Sequence, residues 1–185
     1  LFTLGVDNGY TQVDITNVAR AISGWNGIDQ TNLCGDVTFI QPFWDPGQKT
    51  IFGKTGNWGY DDVINLLFTE RAVQISEYIC RKLYVDFVNP DVNEDMVKLL
   101  AKVFRDNNFE IAPVMKALLQ SEHFFDDANV GTIIPWHIAY FLTFFNEIGY
   151  QEDKELLYAV GYSASEFNEQ IFNPTDVAGW PGNRN

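Results

Sequence analysis

A chain of 185 residues that is 46% hydrophobic and 20% charged can bury a substantial core and is too apolar for wholesale disorder. Twenty-five acidic against twelve basic side chains leave a formal charge of −13, which repels a phosphate backbone and an anionic lipid surface. Nucleic acid and membrane insertion are therefore not expected. The longest apolar run, Ile133–Phe145, is interrupted by Pro135 and His137 and falls short of the ~20 residues a membrane span needs. The high aromatic content, with 15 Phe, 8 Tyr and 5 Trp, points first to a Phe-rich core. The two cysteines, Cys34 and Cys80, match no zinc spacing, and whether they are bonded to each other is left open.

In chain order, Asp7-Asn8-Gly9 reads as a turn, and Thr11 with Asp14 has the spacing of a helix N-terminus. Ile15, Val18, Ala19, Ile22 and Trp25 follow at helical spacing, and Gly24 marks the end. Residues 26–60 form a Gly-rich insertion. In it, the β-like runs Val37–Ile40 and Thr50–Phe52 bracket the turn Trp44-Asp45-Pro46-Gly47, as a small hairpin or a long ordered loop would. Asp61 or Asp62 caps a short helix through Phe68, and Thr69 opens the next, with Ala72, Ile75, Ile79, Leu83 and Phe87 on one face. Asn89-Pro90 stops that helix. Asn93 opens another, with Val97, Leu100, Val103 and Phe104 inward, and Ile111–Leu119 forms a further one with Pro113 in its first turn. An aromatic helix runs from Pro135 to Ile148. Glu152–Val160 and Ala164–Phe172 read as two shorter helices, and 173–185 as a non-helical tail. The expectation is an all-α, bundle-like single domain over 1–185, with the hairpin or ordered loop near 37–59.

Several strings in this chain are similar to those of a known family. Leu1–Val6 with Gly9-Tyr10-Thr11 leads into Ala19-Arg20-Ala21 and Ser23-Gly24-Trp25. Asp45-Pro46-Gly47-Gln48-Lys49-Thr50 leads into Phe52-Gly53, and Arg81-Lys82-Leu83 precedes Phe87-Val88. The tail reads Phe172-Asn173-Pro174, then Val177-Ala178-Gly179-Trp180-Pro181-Gly182. Together these resemble the bacterial family known as domain of unknown function 1800, over nearly the whole chain. The resemblance implies the C-terminal part of a longer, exported protein, set in the periplasm, envelope or extracellular medium. It implies contacts with the N-terminal part of the same polypeptide and no established activity. Relatives commonly carry a His immediately before the Asp of the Asp-x-Gly-x-Lys string, where this chain has Trp44.

The best candidate for function is the loop holding Trp44, Asp45, Lys49 and Gly53. Its carboxylate and ammonium could orient a polar ligand, while Trp44 and Trp58 supply flat apolar faces suited to sugar rings. The plainer alternative is a structural turn, in which Asp45 caps backbone N–H groups and Lys49 pairs with it. Trp180, between glycines, either plugs a groove or clamps the bundle. Asp91–Asp95 resembles the start of a calcium loop, but Met96 stands where the loop needs Gly and Lys102 where it needs Glu, so helix capping is expected. His123 and His137 are isolated, and His137 reads as a core or rim residue. No nucleophile elbow, phosphate loop or metal-ligand set is present, so no cofactor or metal is expected.

Three functions are weighed. The first is a binding or scaffold module of an exported bacterial protein, with a glycan or an envelope protein as partner. The second is a polysaccharide-directed hydrolase using Asp45 and one of Asp61 or Asp62. The third is a structural half-domain that completes the fold of the N-terminal part. A carboxylate held protonated in a cleft would mark the enzyme. Solvent-facing aromatic rings without one would mark the binder, and a large exposed apolar patch the half-domain.

Overall fold

The computed structural model describes residues 2–26, 37–133, 135–150, 154–167, 169–170 and 172–174. Those residues form seven α-helices and two small antiparallel ladders, so the chain is mostly helical with a β-hairpin, as expected. It divides into two compact units, Thr3–Ile79 and Cys80–Asn185, with Leu1–Phe2 belonging to the second.

In the first unit, α1 (Gln12–Ala21) begins as read, since Thr11 Oγ1 accepts from Asp14 N and Asp14 Oδ2 accepts from Thr11 N. The face that turns inward differs from the expected stripe. Ile15, Ile22 and Trp25 are exposed, and Asp14, Val18 and Ala21 point in. The reason is the Asp14 carboxylate, whose Oδ1 accepts a 2.7 Å hydrogen bond from Phe52 N and so ties the helix start to a hairpin. Hydrophobic periodicity has no way to place a buried acid.

That hairpin is β3 (Lys49–Ile51) with β4 (Lys54–Gly56), paired Lys49 to Gly56, Thr50 to Thr55 and Ile51 to Lys54. Phe52 and Gly53 make its two-residue turn with φ of +50° and +78°, the backbone that matches the twist of the strands. The two β-like runs of the sequence therefore do not pair with each other. Thr38–Phe39 (β2) pairs instead with Trp25–Asn26 (β1), Trp25 facing Phe39. The segment 44–47 between them is an ordered loop. Ile51, Ala21 and Val63 form a buried cluster against which Val18, Phe52, Trp58, Leu66 and Leu67 pack.

Helix α2 (Tyr60–Glu70) is capped differently from expectation. Gly59 is its N-cap residue, and Asp62 reaches back to accept from Gly59 N at 2.9 Å. It also runs two residues past Phe68, because Thr69 donates back to Asn65 O within the last turn instead of opening a new helix. The helix ends at Arg71, which donates to Gly9 O and Glu70 O with its guanidinium over the Phe52 ring. Helix α3 (Ala72–Phe87) follows. Its buried stripe is Ser76, Cys80 and Tyr84 together with Ile75, one residue round from the expected face, and Phe87 is exposed.

In the second unit, α4 (Glu94–Asp106) is capped by Asn93, whose side chain accepts from Asp95 N and Met96 N. Val97, Leu100, Ala101 and Phe104 face α5 (Ile111–Leu119), which contributes Val114 and Leu118. Helix α6 (His137–Glu147) packs on α7 (Lys154–Glu166). The expected break into two helices does not occur, for Val160 and Ala164 keep one buried face across Gly161. A single helical Gly costs only about 1 kcal/mol. Among the described residues no helix is long and apolar enough to cross a membrane.

Candidate functional site

Around the Asp45 loop the side chains close on one another. Arg20, on the last turn of α1, donates from Nε to Asp45 Oδ2 at 2.7 Å and from Nη1 to Asn17 Oδ1 at 2.8 Å. Asp45 Oδ1 accepts from Gly47 N at 2.8 Å, and Asp45 N donates to Ser23 Oγ at 3.0 Å. Held by the Arg20 guanidinium first and the Gly47 N–H second, the Asp45 carboxyl sits below its ordinary range. Lys49 is only 1% exposed, and its ammonium donates to Asp45 O at 2.6 Å and Gly47 O at 2.9 Å, with Asn57 Oδ1 at 3.5 Å. Burial pulls that ammonium down, and the Asp45 charge opposes the shift. The structural-turn alternative thus holds for the Asp45 cap, but the ion pair is with Arg20, and Lys49 staples the loop through its carbonyls.

Trp44 and Trp58 join the same frame. Trp44 Nε1 donates to Ala21 O at 3.2 Å, and its ring lies under the Lys49 ammonium, 4.9 Å from the centroid. Trp58 Nε1 donates to Lys54 O, and its ring lies over the backbone of Gly56. Both indoles are partly buried.

The open rings are others. Trp25 and Phe39, opposite each other across β1 and β2, lie 5.3 Å apart at 55°, and Trp25 meets Tyr60 at 5.7 Å and 62°. Their exposures are 47%, 42% and 49%, so each residue is about half open to solvent. Phe39 meets Trp44 edge-on at 6.4 Å, which joins the cluster to the frame. Gly24, at φ +89°, makes the junction possible, because a Cβ there would lie 2.9 Å from Phe39 and 3.0 Å from Trp44. Ile40 N completes the fit, donating to Gly24 O at 2.7 Å. Phe39 and Tyr60 were not singled out by the sequence, and Trp25 was read at helical spacing in the first helix. The available signal was the placement of all three in or next to the Gly-rich segment.

A family model described as "Protein of unknown function (DUF1800)" matches residues 1–185. The chain belongs to the DUF1800 family. No curated protein and no solved structure matches it.

In this DUF1800 chain Trp44 occupies the position before the Asp where the family resemblance places His, and its ring packs on the frame. Asp62, one of the two acids paired with Asp45 in the hydrolase alternative, caps α2, and Asp61 is exposed in the same first turn. Asn93 caps α4 in the calcium-like string, Asp95 pairs with Lys98, and Glu94 pairs with Arg81. His123 Nε2 lies 2.8 Å from the hydroxyl of buried Tyr84. His137 Nε2 lies 3.0 Å from Ser163 Oγ, with its ring between Phe141 and Phe167. Among the described residues no group of three or more His, Cys, Asp or Glu is placed to hold a metal ion. Cys80 is a free, buried thiol that burial pushes up to about 11. Trp180 and Cys34 lie outside the described residues.

Proposed function

We propose that this DUF1800 chain is a binding module of an exported bacterial protein, with the Trp25–Phe39–Tyr60 cluster as its contact surface. One observation carries the proposal: three half-open aromatic rings held on a frame whose polar groups are satisfied internally. Large solvent-facing rings are the usual anchors of recognition surfaces, and rings fixed in advance lose little freedom on binding. Asp45 does not supply the general acid of the hydrolase alternative, which needs a raised carboxyl pKa, since Arg20 and Gly47 lower it. The exported setting follows from what the family resemblance implies. The test is to pan the chain against a displayed peptide library and to screen it on immobilised oligosaccharides. Binding that disappears in Trp25→Ala and Tyr60→Ala, and persists in Tyr140→Lys on α6, supports the proposal. Binding indifferent to the ring variants, or no binding in either format, overturns it.

A second role, the half-domain, is favoured by α6. Its inner side carries Ile138, Phe141, Leu142 and Phe145, while Trp136, Tyr140, Phe144 and Ile148 run exposed at four-residue spacing along another. A second row of large apolar side chains on one helix is normally covered. We propose that the N-terminal part of the same polypeptide covers it. Hydrogen exchange over 136–148 should then be slower in the full-length protein than in the 185-residue chain, and equal rates count against this role.

A further inference from the structure

We infer that the Trp25–Phe39–Tyr60 cluster takes an uncharged saccharide chain. This rests on the binding role proposed above and adds the chemical class of the ligand. The cluster is a set of facets, with Trp25 at 55° to Phe39 and 62° to Tyr60, open to solvent on every ring. A lipid or a small apolar molecule needs an enclosed pocket that removes most of its surface from water. A pyranose ring needs less, because it places C–H groups on one face against an aromatic ring and keeps its hydroxyls at the rim in water.

The rim fits that division. Thr38, on the strand that carries Phe39, is exposed, its hydroxyl donating to Asn26 O at 3.1 Å, and Asp61, beside Tyr60, is exposed as well. Amides, hydroxyls and carboxylates are the groups that hydrogen-bond sugar hydroxyls. Charge then selects within the class. The basic side chains from residue 20 to 60 are Arg20, Lys49 and Lys54. Arg20 is bound to Asp45 and Asn17, Lys49 to the loop carbonyls, and Lys54 pairs with Glu70 at 3.6 Å. Asp61 and Asp62 stand in the first turn of α2, directly after Tyr60. A uronate or phosphate-bearing chain meets those acids, within a chain of formal charge −13.

A peptide is the less suitable occupant, because strand addition needs a longer edge than the two residue pairs that β1 and β2 form among the described residues.

The experiment titrates wild type, Trp25→Ala, Tyr60→Ala and Tyr60→Phe with neutral hexasaccharides of β-1,4-linked glucose and N-acetylglucosamine, and with an oligogalacturonate of equal length. Calorimetry reads the affinity, and circular dichroism confirms that each variant folds. A neutral chain should bind, weaken at least about tenfold in both alanine variants, and change less than about threefold in Tyr60→Phe, which keeps the ring. The uronate should bind at least about tenfold more weakly than the neutral chain. Should Trp25→Ala fail to fold, Tyr60→Ala decides alone. Equal or tighter uronate binding overturns the inference. So does a chain that binds no saccharide while selecting peptides whose binding needs Trp25, and in that case the binding role itself survives. No binding of either ligand class removes both.

Discussion

At Lys49 an ammonium is buried and satisfied by the carbonyls of Asp45 and Gly47 instead of by a carboxylate. Lys49→Met keeps the aliphatic stem and removes the donors, which leaves those carbonyls without partners. The expected loss is about 1–3 kcal/mol in urea unfolding, and an unchanged midpoint would refute the staple. Asp14 makes a second case. Burial pushes its carboxyl up, but hydrogen bonds from Thr11 and Phe52, with the Arg71 charge, outweigh that and leave it below 3.8. Asp45 is lowered as well. The unfolded chain therefore takes up these protons first. Their contribution to stability is complete above about pH 3.8 and disappears as the pH falls through the lower folded values. Urea midpoints at pH 6 and pH 3 should show a smaller acid loss in Asp14→Asn than in wild type, and an equal loss would show that Asp14 does not carry it. The Thr11–Asp14 capping spacing was legible in the sequence because both residues act within one turn. The bond from Phe52 to Asp14 was not, since nothing local announces a partner 38 residues away.

Among the elements, the two hairpin-related glycines separate backbone from packing. Gly53 sits at φ +78° with open space where a Cβ would go, and Gly24 at φ +89° has Phe39 and Trp44 within 3.0 Å. Gly53→Ala should cost about 1–2 kcal/mol from the left-handed backbone alone. Gly24→Ala should cost about 2–4 kcal/mol because overpacking adds to the same strain. Thermal unfolding of the pair checks the order, and equal losses would mean the Gly24 contacts carry no weight. The same contrast between local and distant explains which elements were read correctly. Helices α4 and α5 follow from signals inside their own spans, Asn93 at one cap and Pro113 in a first turn. The strands depend on pairing choices, and Trp44-Asp45-Pro46-Gly47 carries stronger turn chemistry than Phe52-Gly53, although the latter makes the hairpin. The cluster was missed for that reason: Trp25 and Phe39 become neighbours only through the pairing of β1 with β2.

For the whole molecule, composition bounded much and decided little. An acid excess argues against polyanionic partners, and the aromatic surplus, expected in a core, also lies on the surface at Trp25, Phe39 and Tyr60 and along α6. Tyr140→Lys and Phe144→Lys on the outer side of α6 should leave the stability of the 185-residue chain within about 0.5 kcal/mol while lowering its binding of a hydrophobic dye. A large loss of stability would show that this side is already covered within the chain. The central claim is that the rings make the contact and that the Asp45 carboxylate takes no part in it. Calorimetric titration of the β-1,4-linked glucose hexasaccharide into wild type, Trp25→Ala and Asp45→Asn tests it most directly. Affinity that falls at least about tenfold in Trp25→Ala and stays within about threefold in Asp45→Asn is the predicted result. Affinity lost in Asp45→Asn and kept in Trp25→Ala would contradict it and move the chemistry to the carboxylate.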